Sequence, residues 1–114
     1  MSTGTIEFEV KLSVELHDNG DVIVSYCPVL DIASQGITKQ EAIENIKEAV
    51  VAFVSSCYDR GVLNEVLTER GFKRKSGKIE VPDKPHDYII NVPIPLYQLE
   101  QEQPTKNIFS NITY

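Results

Sequence analysis

The chain has 114 residues and a formal net charge of −6, which leaves room for one core of ordinary size rather than two. At 41% hydrophobic and 25% charged residues, the composition is that of a globular domain and excludes a disordered chain. Residues 1–69 hold 12 Asp/Glu against 4 Lys/Arg, net −8, and residues 70–114 hold 5 against 7, net +2. The acidic body repels phosphate, which argues against general nucleic-acid binding, and suits a basic partner.

The first element is the clearest. Ile6, Phe8, Val10, Leu12, Val14 and Leu16 alternate with Glu7, Glu9, Lys11, Ser13 and Glu15. A period of two predicts an antiparallel strand with one face inside and one outside. Asp18-Asn19-Gly20-Asp21 supplies positive φ and reads as a hairpin turn. A second strand is expected over Val22 to Cys27. Pro28 lacks a donor and is expected to end that pairing or sit at a bulge, and a short third strand is expected over Leu30 to Gln35.

Gly36 is read as a turn. Thr38-Lys39-Gln40-Glu41 has capping-box spacing, with the Thr38 hydroxyl accepting from the Glu41 amide and the Glu41 side chain reaching back to Thr38. Behind it Ala42, Ile43, Ile46, Ala49, Val50, Phe53, Val54 and Cys57 recur at helical spacing, opposite Glu44, Lys47 and Glu48. This predicts an amphipathic helix of about five or six turns covering one face of the sheet. Asp59-Arg60-Gly61 ends it. Val62, Leu63, Val66 and Leu67 predict a short second helix stopped by Gly71. The basic run Arg70, Lys73, Arg74, Lys75 and Lys78 reads as a solvated loop, and a last strand from Tyr88 to Val92 or Ile94 ends at a sheet edge because of Pro93 and Pro95. The expected class is α+β, in the order β-β-β-α-α-β. Residues 1–97 form one domain, and residues 98–114 form a polar tail with an apolar patch at Ile108, Phe109 and Ile112.

Catalytic chemistry is weakly signalled. Cys27 precedes a proline in a strand and Cys57 falls on the apolar helix stripe, so both read as packed thiols; a nucleophile needs a base and a lowered pKa. The only histidines, His17 and His86, lie in other segments. Ser34-Gln35-Gly36 is neither a nucleophile elbow nor a phosphate loop. Asp21 and Asp31 are the candidates for a metal-dependent nuclease, but no spacing selects a metal site. No catalytic residue, metal or cofactor is assigned. No apolar run approaches the roughly 18 residues of a membrane span, and the start MSTGTIEFEV lacks a basic-then-apolar signal, so a cytoplasmic protein is expected.

Three strings together, Tyr26-Cys27-Pro28-Val29-Leu30, Ser34-Gln35-Gly36-Ile37-Thr38 and Glu41-Ala42-Ile43-Glu44-Asn45-Ile46-Lys47-Glu48-Ala49, resemble the HicB antitoxin family over roughly residues 5–72. The resemblance implies a partial ribonuclease-H-like fold, in which the last strand lies beside the first and parallel to it after a right-handed crossover. It implies a partner too: a HicA-type toxin, small, basic and messenger-RNA-cleaving, which such proteins neutralise by covering its active site. Many members add a C-terminal DNA-binding domain. Only about 17 residues follow the last expected strand here, too few for one, so operator binding is not expected. A homodimer is expected from an open sheet edge and the apolar tail patch. Pro28, Leu30, Asp31, Ser34 and Gln35 are the candidate partner contacts, and Arg70, Lys73, Arg74, Lys75 and Lys78 the candidate nucleic-acid contacts.

Overall fold

The computed structural model describes residues 5–75, 78–82, 84 and 87–97. The expected tail patch at Ile108, Phe109 and Ile112, and His86, lie outside the described residues. Strands β1 (Thr5–Asp18), β2 (Ile23–Cys27) and β3 (Ile32–Gly36) come first, followed by helices α1 (Lys39–Asp59) and α2 (Leu63–Glu69). A small hairpin of β4 (Lys73–Lys75) and β5 (Lys78–Glu80) precedes the last strand, β6 (Tyr88–Tyr97). The main sheet has the order β3-β2-β1-β6, and β4 and β5 form a separate two-stranded sheet. The α+β class and the β-β-β-α-α-β order are thus observed, with the hairpin as an addition.

The period of two in β1 is realised directly. Val10, Leu12 and Val14 are buried, while Glu7, Glu9 and Lys11 are exposed. Between β1 and β2 the Asn19 amide donates to the Val22 carbonyl at 2.9 Å. Gly20 has φ +97, the pattern of a two-residue hairpin turn with glycine first. The Asp18 carboxylate accepts from the Gly20 amide at 2.9 Å and fixes the turn.

The β2–β3 turn occupies Pro28 to Asp31. The Leu30 amide donates to the Cys27 carbonyl and the Asp31 amide to the Pro28 carbonyl. Asp31 has φ +57, which Asp tolerates better than most residues. The expectation that Leu30 begins the third strand is corrected: Leu30 is a turn residue whose side chain is 2% exposed, and β3 starts at Ile32. The apolar character of Leu30 reflects core anchoring, not strand pairing.

α1 has 21 residues and buries Ala42, Ile46, Val50, Val54 and Cys57, a stripe at spacings of three and four. Burying side chains the size of Ile46 or Val50 stabilises the fold by about 1.5–3 kcal/mol each. Both helices end by one device. Gly61 and Gly71 have positive φ. Val62 N–H returns to the Cys57 carbonyl and Phe72 N–H to the Leu67 carbonyl, while each glycine N–H bonds three residues back. These are paired Schellman closures, and buried Phe72 supplies the accompanying apolar contact.

The structure overturns three further expectations. First, β6 runs antiparallel to β1, from Val14 opposite Tyr88 to Thr5 opposite Tyr97, not parallel to it. A direct return from α1 would enter beside β1 in parallel. Residues 60–87 intervene instead, carrying α2 and the hairpin, and the chain enters β6 at the end where β1 leaves towards β2. Second, the basic run is not a loop, since Lys73 to Lys75 and Lys78 to Glu80 pair as strands. Third, β6 passes through Pro93 and Pro95 to Tyr97. Its edge position, expected from those prolines, holds.

Candidate functional site

The strand-to-helix segment from Ser25 to Asn45 is the most closely built part of the molecule. Ser25 is fully buried on β2, and its hydroxyl donates to the Ala42 carbonyl of α1 at 2.8 Å. Gly36 ends β3 underneath the first turn of the helix. A Cβ there would stand 2.5 Å from the Ala42 nitrogen and 2.8 Å from the Glu41 carbonyl carbon. Its φ is not in the left-handed region, so the reading of Gly36 as a turn is corrected. This position requires the absence of a side chain, not conformational freedom.

The cap follows the expected spacing with one shift. The Thr38 hydroxyl accepts from the Glu41 amide at 3.0 Å. The Glu41 carboxylate accepts from the Ile37 amide at 2.6 Å, one residue before the expected Thr38. Asn45 completes the contact by donating its side-chain amide to the Gln35 carbonyl at 2.8 Å. Small residues let the backbones approach, and three polar side chains of the helix start satisfy what the approach leaves over.

No reactive group emerges at this segment. Cys27 is buried and unbridged, and the β1–β2 register places His17 on the opposite face from it. His17 is exposed and meets Glu15 at 3.0 Å. Cys57 is buried in the core, where Arg60 donates to its sulfur at 3.7 Å. Asp21 and Asp31 lie at opposite ends of β2, so the two nuclease candidates do not converge. Among the described residues no three His, Cys, Asp or Glu side chains group for a metal, and no helix is long and apolar enough to cross a membrane.

The expected partner contacts are divided. Leu30 is in the core and Pro28 is half-buried. Ser34 shares the helix-facing side of β3 with Ile32 and Gly36, while Gln35 lies on the other side, exposed. Asp31 is exposed at the turn and accepts from the Tyr26 hydroxyl at 2.7 Å. That hydrogen bond holds the Tyr26 phenol above its usual pKa, with desolvation and the nearby negative charge of Asp31 adding to it. Only Asp31 and Gln35 of the five are fully presented to solvent.

Two surfaces take their shape from strand pairing that the sequence did not reveal. One is an open groove of about 580 Å³ lined by Glu7, Glu9, Lys47, Val51, Asn91 and Pro93. Lys11 donates to the Asn91 side chain at 3.1 Å across β1 and β6. The groove depends on the β1–β6 register, which no local pattern encodes. The other is the basic hairpin. Arg70 lies exposed at the end of α2, and Lys73 and Lys78 are exposed on the hairpin. Arg74 is half-buried with its guanidinium 4.8 Å from the Phe8 ring centroid. Lys75 pairs in register with Lys78.

No protein-family model, curated protein or solved structure matches this chain.

Proposed function

We propose that this chain is a non-catalytic, HicB-like protein-binding module of the cytoplasm. In this reading it is an antitoxin that neutralises a HicA-type toxin, a small basic messenger-RNA-cleaving protein. One observation carries the proposal: the residues that give the resemblance meet at a single contact. Gly36, Thr38, Glu41, Ala42 and Asn45 are the close approach, the cap and the hydrogen bonds that join α1 to the sheet. The string therefore has a structural cause, and shared strings of this kind argue for a shared scaffold. The acidic body, with Glu7 and Glu9 exposed along the groove, adds complementarity to a basic partner. The antiparallel β6 departs from the direction the resemblance implies, so the proposal rests on β1 to α1. A homodimer belongs to the same proposal, through a surface other than the sheet edges, where Pro93 and Pro95 on β6 and the Asn45 bond at the end of β3 oppose a further strand.

Co-expression with the product of the neighbouring reading frame tests it. The expected result is a complex with a small basic protein that survives purification, relief of that protein's growth arrest, and a dimeric mass by light scattering. A neighbour that is not a small basic protein, or such a neighbour that neither binds nor is relieved, overturns the reading.

A further inference from the structure

Strand β1 is longer than either of its neighbours, and the registers divide it between them. From Thr5 to Val14 it pairs with β6, and from Glu15 to Asp18 with β2. No residue of β1 belongs to both ladders. Each therefore has one edge that no strand takes up among the described residues.

The prolines of β6 decide which backbone groups are left over. In an antiparallel ladder, alternate residues turn their N–H and C=O towards the same neighbour. Pro93 and Pro95 stand opposite Glu9 and Glu7 and have no N–H to give. The bonds to β6 therefore come from the even positions, Phe8, Val10 and Leu12. Glu7, Glu9 and Lys11 turn their N–H and C=O to the other edge. The side chains at these positions carry a sign. Glu7 and Glu9 are exposed, line the open groove and form no ion pair among the described residues. Lys11 is drawn towards β6 by its bond to Asn91.

We propose that this edge of β1 takes up an extended segment of a basic partner protein as an added strand, with lysine or arginine side chains facing Glu7 and Glu9. Backbone hydrogen bonds supply the binding in such a contact, and alternate side chains supply the selectivity. Opposite charges directly across a ladder stabilise it, and like charges weaken it. A second copy laid antiparallel around Phe8 sets Glu7 opposite Glu9, carboxylate against carboxylate, so charge turns the edge away from its own kind. A nucleic acid has no peptide ladder to match, and its phosphates meet the same carboxylates. The proposal rests on the reading of the chain as a protein-binding module and states how the binding is made. It does not require the partner to be a toxin.

Amide exchange of the full chain, followed residue by residue by NMR, tests the proposal. The probe is a peptide of alternating lysine and valine, about eight residues long. In the free chain the amides of Glu7, Glu9 and Lys11 are expected to exchange fast, and those of Val10 and Leu12 slowly. The peptide at about 1 mM is expected to slow the first set at least about tenfold and to leave the second unchanged. The same peptide with its lysine amides N-methylated keeps its charge, cannot complete the ladder, and is expected to protect nothing. Glu7→Gln/Glu9→Gln is expected to weaken binding about fivefold, and the control Glu48→Gln/Glu69→Gln, on the helices, to bind as the parent does. Slow amides at Glu7, Glu9 and Lys11 in the free chain overturn the proposal: the edge is then taken by another part of the chain or, where the slowing depends on concentration, by a second copy. Equal protection by the N-methylated peptide, or equal loss in the control, overturns it too. Absence of protection beside a stable complex with the neighbouring product overturns this mode of contact and leaves the antitoxin reading intact. Protection without such a complex does the reverse.

Discussion

The two outer strands of the sheet, β3 and β6, are closed to a further strand by different chemistry. In β6 the closure is covalent. Pro93 and Pro95 are two residues apart, so their missing N–H groups fall on one edge of the strand. The ten-residue register with β1 is unbroken, which places that edge outward. In β3, by contrast, the strand itself is uncharged and free of proline: Ile-Ala-Ser-Gln-Gly. Backbone groups at its end are taken up by side chains of α1, Asn45 at the Gln35 carbonyl and Glu41 at the Ile37 amide. One edge is protected by its own residues and the other by a neighbour held in place. The first protection survives loosening of the fold and the second does not.

The comparison breaks most completely at Gly36. Valine there puts carbon atoms into the Ala42 and Glu41 backbone, so α1 must lift away from β3. Gly36→Val is expected to cost about 3 kcal/mol or more in urea unfolding, with Gly36→Ala between it and the parent. A parent-like midpoint for the valine variant would contradict the close approach.

A smaller change sharpens the contrast between the edges. Asn45→Ala removes the bond to Gln35 and is expected to cost about 1 kcal/mol and to raise concentration-dependent self-association. Pro93→Thr/Pro95→Thr restores two donors to β6 and is expected to leave the unfolding midpoint within about 1 kcal/mol while raising association more than Asn45→Ala does. Sedimentation velocity over a concentration series ranks the two. If association rises equally in both, the edges are not closed differently.

The smallest expected effect concerns the turn before β3. The folded state holds the Tyr26 proton more tightly than the unfolded chain, because the phenol donates to Asp31. Its stabilising contribution is therefore constant below the unfolded tyrosine pKa of about 10 and is lost as pH rises through the folded value. Tyr26→Phe is expected to be slightly less stable than the parent at neutral pH, with the difference shrinking above about pH 10. A difference that grows with pH would reverse the assigned direction.

Legibility in the sequence followed the range of the interactions. The alternation of β1, the Gly20 turn, the stripe of α1 and the Thr38 cap all act within a few residues and were readable. Gly36 was misread because sequence alone does not separate a glycine needed for positive φ from one needed for the absence of Cβ. The ribbon of Lys-Arg-Lys and Lys-Ile-Glu has little strand propensity of its own. It forms because Ile79 packs on the core and Arg74 stacks on Phe8, a residue far away in the chain. The direction of β6 was equally hidden, since it depends on the path of residues 60–87 and not on any property of the strand. Of the candidate partner contacts, the sequence placed the end of β2 at Pro28 but read Leu30 as the start of a strand and not as an inward-pointing turn residue.

That inward leucine has a kinetic meaning. A hairpin tip is ordinarily among the first places a domain opens, because few contacts hold it. At Leu30 the tip is pinned to the same core as Leu12 and Ile46. The Leu30 and Asp31 amides, bonded to the Cys27 and Pro28 carbonyls, are expected to exchange with solvent more slowly than those of an unanchored tip, which hydrogen exchange measures. Asp31 is therefore expected to meet a partner from a turn anchored before contact by Leu30, so that less ordering entropy is lost on binding than from an unanchored loop.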